Sequence, residues 1–165
     1  MSVRSRPEGH GLPPFEQIVE RYGPAVLRFC AARAGPADAE DCFQETMLAA
    51  LRAYAEVRDA NAVRSWLFSI AARKAIDQHR ARARSPQPVE ALEPLAVTHG
   101  PAPRDAGLWA RVERLPEKQR QALSLRYLGE LSHREIAGVM GTTDAAARRN
   151  VFEGLSRLRR EIGRE

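Results

Sequence analysis

The chain has 165 residues, 44% of them hydrophobic but only 6% aromatic, and its net charge is +5. That length makes one ordinary domain or two small ones, and an alanine-rich, aromatic-poor composition suits small helical bundles. The basic balance admits a polyanionic partner, whereas no apolar run approaches the roughly 18 residues of a membrane helix, so no membrane insertion is expected.

Residues 1–14 are rich in Pro, Gly, Arg and Ser and lack the apolar stretch of a signal peptide. A disordered tail and a cytoplasmic location are the expectations. Phe15 to Arg33 reads as a first helix, with a bend expected at Gly23-Pro24. Asp38 is placed to cap a second helix running to about Glu56, and Asn61 or Ser65 to start a third ending near Arg84. Cys30 and Cys42 lie in apolar-periodic stretches and are expected as reduced core residues. His10, His79, His99 and His133 show no ligand spacing, so neither a metal nor a cofactor is expected.

Charge is sorted between these helices. Residues 35–60 carry six acids (Asp38, Glu40, Asp41, Glu45, Glu56, Asp59) against Arg52 and Arg58. Residues 64–84 carry six bases (Arg64, Arg73, Lys74, Arg80, Arg82, Arg84) against Asp77. A nucleic acid would be attracted by the second group and repelled by the first. At 100° per residue, Phe43, Met47, Ala50 and Tyr54 share the expected core side of the acidic helix. Asp41, Gln44, Glu45, Leu48 and Arg52 share the opposite side. That side is either a solvated charged face or a protein-docking surface, an apolar anchor rimmed by charge. On the basic helix, Trp66, Phe68 and Ile70 are either plain core or the aromatic half of a track for single-stranded DNA.

Residues 85–106 hold five prolines and Gly100 without any period, which reads as a flexible linker. Residues 107–165 are helical again. Leu115-Pro116-Glu117-Lys118 opens a helix with proline in its first turn. Ser132-His133-Arg134-Glu135 is a capping box for a short helix closed by Gly141. Thr142-Thr143-Asp144 then offers a fresh N-cap for a helix carrying Arg148, Arg149, Arg157, Arg159 and Arg160. Two short helices joined by a glycine-containing turn, the second rich in arginine, have the geometry that enters a DNA major groove. On the last helix Val151, Leu155, Leu158 and Ile162 form the expected core stripe, leaving Arg149, Phe152 and Glu153 elsewhere. Arg148 and Arg149 suit phosphates or guanine edges, and Phe152 a thymine methyl or sugar. Arg126, His133 and Arg134 would add backbone contacts. The fold class is therefore all-α, with two small helical domains on a Pro-rich linker and a helix-turn-helix in the second. P-loop, GxGxxG and HExxH patterns are missing, and no enzyme is expected.

Three segments resemble bacterial RNA polymerase sigma factors of the sigma-70 family, extracytoplasmic-function group. Asp38-Ala39-Glu40-Asp41-Cys42-Phe43-Gln44-Glu45-Thr46-Met47 is similar to the family's DAEDLVQETF segment. Ser65-Trp66-Leu67-Phe68-Ser69-Ile70-Ala71 through Ala75-Ile76-Asp77 is similar to WLYRIARNLAID. Leu115 to Arg120, Leu125-Arg126-Tyr127 and Leu131 to Ala137 resemble the domain that binds the −35 element. The resemblance implies that residues 15–84 bind core RNA polymerase and read and melt the −10 element, and that residues 107–165 bind the −35 element. It assigns Asp41, Gln44, Glu45, Leu48 and Arg52 to the polymerase. To the −10 strand it assigns Asn61, Ser65, Trp66, Arg73, Lys74 and Arg80. Arg126, His133, Arg134, Arg148, Arg149, Phe152 and Glu153 fall to the −35 duplex. The implied function is that of an alternative sigma factor, monomeric when free, with an anti-sigma protein as an allowed further partner. A sigma mimic that titrates an anti-sigma protein and a stand-alone helix-turn-helix regulator are the rivals. Two stretches depart from the family: Ala72-Arg73 stands where Arg-Asn is usual, and the last helix carries Glu153 and Gly154 in place of the usual residues.

Overall fold

A computed structural model describes residues 11–84 and 106–164, and these form seven α-helices with no strand among them. Residues 85–105 of the expected linker and most of the expected N-terminal tail lie outside the described residues, and the linker's last expected residue, Ala106, instead opens a helix. Leu12, at the end of that tail, packs against the core, and the Pro13 carbonyl accepts a hydrogen bond from the Tyr54 hydroxyl. Leu12 and Pro13, placed in the tail on composition, are therefore held against the first domain.

In the first domain, α1 (Phe15–Ala34) runs through Pro24 without interruption. Helix α2 spans Ala39–Ala53 and is followed by a 3₁₀ turn at Tyr54–Glu56. Asp38 does occupy its N-cap, but the side chain makes no capping bond. The carboxylate instead faces Arg82 Nε at 2.6 Å, tying the start of α2 to the end of α3. Helix α3 spans Val63–Arg84. Neither Asn61 nor Ser65 caps it: Asp59 accepts from the Asn61 backbone N–H at 2.9 Å and starts a 3₁₀ turn at Ala60–Ala62 that leads in.

The buried side of α2 is rotated from the expected stripe. Ala39, Cys42, Thr46 and Ala50 are buried, while Phe43, Met47 and Tyr54 stand half-buried at the edge. The reason is size, because small residues on the inner line let α1 and α3 approach closely. Thr46 fits there because its hydroxyl donates to the Cys42 carbonyl at 2.7 Å, so no polar group is stranded. Cys30 and Cys42 are free thiols buried in this core, as expected. Phe29 and Phe68 meet edge-to-face, centroids 5.4 Å apart, in a preferred aromatic geometry.

In the second domain, α4 spans Ala106–Glu113 and α5 Glu117–Tyr127. Pro116 sits at the N-cap of α5, one position before the first turn. Helix α6 spans His133–Met140, with both bonds of the capping box formed: Glu135 N–H to the Ser132 hydroxyl at 3.1 Å, and Ser132 N–H to the Glu135 carboxylate at 2.7 Å. Gly141 ends it in the left-handed region (φ 64°), where glycine carries no side-chain penalty. Thr143 caps α7 (Asp144–Ile162) by accepting from Ala146 N–H. Ser132→Ala is expected to destabilise this domain by about 1 kcal/mol, the usual cost of a lost cap, measured by urea unfolding.

The core line of α7 is Ala147, Val151, Gly154 and Leu158, with Leu155 half-buried and Ile162 exposed. Ile162 was expected inside; it lies at the helix end, past the reach of α5 and α6. Gly154, which helix propensity disfavours by about 1 kcal/mol, has a packing reason. A Cβ there would lie 2.9 Å from Leu123 Cδ1 and 3.2 Å from its Cγ, so glycine sets the close approach of α7 to α5. Gly154→Leu is expected to destabilise the second domain by about 3 kcal/mol through overpacking. Thermal or urea unfolding of the full chain reads it as a shift in midpoint.

The two domains touch. Helix α1 packs against α5, and α3 against α6. The Arg33 guanidinium, its side chain only 4% exposed, pairs with Glu117 of α5, which also holds Arg120. Arg64 of α3 reaches Glu130 at 3.7 Å while stacking 5.3 Å from the Tyr22 ring centroid.

Candidate nucleic-acid and protein interfaces

Helix α2 turns its acidic face to solvent because its small residues take the core side. Asp41, Gln44, Glu45, Leu48 and Arg52 are all exposed on it, as their spacing required. Leu48 is 52% exposed, and Leu51, one turn on, is 55% exposed. Leu51 was missed by the sequence reading, although the same helical wheel places it beside Leu48. Two adjacent exposed leucines among Asp41, Glu45 and Arg52 make an apolar centre within a charged rim, the composition of a protein-binding patch.

Helix α3 divides its residues differently. Leu67, Phe68, Ile70, Ala71, Ala72 and Ala75 are buried, so Phe68 and Ile70 belong to the core alternative. Trp66 is half-buried, its ring 6.1 Å from that of Tyr54, which in turn meets Phe15 edge-on. Ser65 is half-buried and its hydroxyl donates to the Ala62 carbonyl. Asn61, Arg73 and Arg80 are exposed and Lys74 is partly so. Asn61, Ser65 and Trp66 thus gather at the N-terminal end of α3, while Arg73, Lys74 and Arg80 follow along it. Of the departing pair, Ala72 is buried and Arg73 exposed, so the positive charge stays on the solvent side.

On the second domain, Thr143 and the buried line of α7 aim Ala145, Arg148, Arg149 and Phe152 outward, and these four line a shallow surface concavity. Phe152 is 67% exposed, the most exposed of the large apolar side chains among the described residues. An exposed aromatic ring that shares a concavity with two arginines fits a surface that meets base edges and phosphates. Ala145 joins this face as a small residue that sequence reasoning did not single out. Arg134 is exposed and His133 half-buried on α6. The other two assigned residues have internal partners. Arg126 Nη1 donates to the Leu131 carbonyl at 3.0 Å and pins the loop before α6. The Glu153 carboxylate accepts from Gln119 Nε2 at 3.1 Å, joining α7 to α5.

The described residues contain no helix long and apolar enough to cross a membrane. Residues 18–85 match the family model for sigma-70 region 2, and residues 106–158 match that for sigma-70 region 4. The ECF RNA polymerase sigma factor SigD of Mycobacterium tuberculosis is 35% identical over 160 residues, covering 88% of this chain and 76% of SigD. Among solved structures, the sigma factor RpoE bound to the anti-sigma factor NepR, from Bartonella quintana, shares the fold. It gives a TM-score of 0.74 at 22% identity, over 90% of this chain and 96% of that one. CnrH, in complex with the cytosolic domain of CnrY, gives 0.69 at 22% identity over 92% and 88%. By its two sigma regions in this order and its identity to a full ECF relative, the chain belongs to the extracytoplasmic-function sigma factors of the sigma-70 family.

Proposed function

We propose that the two domains of this alternative sigma factor divide its work by surface. The first domain docks on core RNA polymerase through the outward face of α2, with Leu48 as anchor and Asp41, Gln44, Glu45 and Arg52 around it; Leu51 extends the anchor. The same domain captures bases of the −10 element at the N-terminal end of α3. Asn61, Ser65 and Trp66 meet the unstacked strand there, and Arg73, Lys74 and Arg80 hold its phosphates. Helix α7 enters the major groove of the −35 element with Arg148, Arg149 and Phe152 at the base edges, while Arg134 and His133 touch the backbone. Arg126 and Glu153 support this surface through the internal bonds that fix the turn and the α5–α7 packing.

The chain contributes binding and no bond chemistry. Promoter opening draws on the free energy of capturing bases that have left the stack, and the polymerase makes the RNA in the cytoplasm. An anti-sigma protein is a natural regulator, as NepR is the anti-sigma factor bound to the similarly folded RpoE of Bartonella quintana. The observation that carries the reading is the separation of an acidic, leucine-centred face on α2 from the arginine- and phenylalanine-bearing face on α7. A stand-alone DNA-binding regulator has no use for the first. Run-off transcription with purified core polymerase, on DNA from upstream of its own gene, tests it. A discrete transcript dependent on the protein is expected. Tight core binding without any transcript from a promoter library would favour a mimic, and absence of core binding would overturn the reading.

A further inference from the structure

Two nucleophilic groups lie apart from both proposed binding surfaces. Cys30, towards the C-terminal end of α1, and Cys42, the fourth residue of α2, are fully buried and unbridged. Their helices are joined by residues 35–38 and pack side by side. The two thiols hydrogen-bond to each other, and the Thr46 hydroxyl, which donates to the Cys42 carbonyl at 2.7 Å, reaches both. A paired set of sulfurs therefore sits inside an apolar core. The two are not equivalent. The hydrogen bond to Cys42, together with burial, pushes the Cys30 thiol far above the ordinary range, whereas the hydrogen bond from Cys30 holds Cys42 below it. Position agrees with this, because the dipole at a helix N-terminus favours a thiolate there. The surface over this turn is also open. A shallow pocket lined by Asp38, Gln78, Ala81 and Arg82 adjoins it. Gln78, with its amide turned to match its neighbours, accepts from the Cys42 N–H at 3.1 Å and donates to the Asp38 carbonyl at 3.2 Å. The start of α2 is thus tied to α3 by Gln78 and by the Asp38–Arg82 pair, so a local opening of one turn brings a small oxidant to Cys42.

We propose that Cys30 and Cys42 are a peroxide-responsive pair that closes to a disulfide, and that closing it weakens docking on core RNA polymerase. Cys42, as thiolate, attacks one oxygen of hydrogen peroxide. The O–O bond breaks, and the departing hydroxide takes up the proton that Cys42 released, leaving as water. Cys30 then attacks the sulfur of the resulting sulfenic acid, which forms the S–S bond and expels a second water. The two thiols lose two electrons between them, and the peroxide is reduced to two waters. Closing the pair brings the sulfurs from hydrogen-bond contact to a bond length of roughly 2 Å, so α1 and α2 must shift against each other. A close-packed core transmits that shift. Asp41, Gln44 and Glu45, on the same two turns as Cys42, move relative to Leu48, and the face no longer matches its partner. The effect on docking rests on the function proposed above; the disulfide itself does not.

The test treats the reduced full chain with hydrogen peroxide and maps its unreduced peptides by mass spectrometry. A Cys30–Cys42 linked peptide, lighter by two hydrogens than its reduced parts, is expected from protein whose circular dichroism remains helical. The bridged protein should bind purified core polymerase at least about tenfold more weakly than the reduced one. Dithiothreitol should restore binding, and since it leaves methionine sulfoxide untouched, recovery separates the disulfide from oxidation of Met47 on the same helix. Cys30→Ala, a small apolar replacement, should form no bridge and should bind polymerase equally before and after peroxide. Two free thiols after treatment of the folded chain would overturn the pair. Equal polymerase binding by bridged and reduced forms, or a loss in Cys30→Ala as large as in the wild type, would overturn the regulation. If the reduced protein itself fails to bind core polymerase, the docking reading falls and its regulation with it, while the peptide map still decides whether the pair closes.

Discussion

Leu48→Glu is expected to abolish co-purification of the chain with core RNA polymerase while leaving its fold and its −35 duplex binding unchanged. Leu48 is 52% exposed, so removing it opens no cavity, and glutamate is as good a helix former as leucine. The loss comes entirely from the bound state. Burying a leucine contributes about 1.5–3 kcal/mol, and a glutamate forced into the same apolar contact loses that and must also shed its hydration. Together these weaken binding by on the order of 100-fold or more, at 1.4 kcal/mol per factor of ten. Size-exclusion or pull-down assays with purified core polymerase read the result, and circular dichroism confirms the helix content. Unchanged association would remove α2 as the docking face. Leu51→Glu, on the same side and 55% exposed, should give a smaller loss in the same direction if the anchor is shared.

The complementary experiment alters the other face. Arg149→Ala/Phe152→Ala should reduce affinity for a −35 duplex by about 100-fold, since each good base contact contributes about 1–3 kcal/mol, and should reduce promoter-specific initiation accordingly. Both side chains are exposed and alanine favours helix, so stability should stay within about 0.5 kcal/mol of wild type. Core polymerase binding should be untouched. If Arg149 contacts a phosphate, its loss also lowers the salt slope of duplex binding by about one. If it reads a base edge, the slope stays and discrimination between promoter variants falls. Equal damage to polymerase association and duplex binding would contradict the assignment of one surface to each domain.

Much of the fold is written in local chemistry. The capping box at Ser132 and Glu135, the left-handed Gly141 and the Thr143 cap each satisfy backbone groups within three or four residues. A reader of the sequence can place the helix-turn-helix from them alone. The exposed set on α2 and the outward position of Arg148, Arg149 and Phe152 follow from helical periodicity, because a helix with one packed side must leave the other to solvent. Where periodicity misled, a long-range neighbour was responsible. The core line of α2 shifted to Cys42 and Thr46 because α1 and α3 come close enough to favour small residues. Asp38 left its capping role for Arg82, on a helix that ends more than forty positions later. Gly154, costly in an isolated helix, is explained only by Leu123 on α5.

The sequence by itself thus determined the all-α class, the two-domain division, the helix-turn-helix and the sorting of charge between surfaces, because each depends on spacings of a few residues. Only the tertiary structure decided which small residues line the core, which assigned residues have internal partners, and that the two domains touch through Arg33 and Glu117. Arg33 and Glu117 are 84 positions apart, and no local pattern relates them. Their pairing exists because two packed bodies bring a buried guanidinium and a carboxylate together, where each lowers the cost of keeping the other charged.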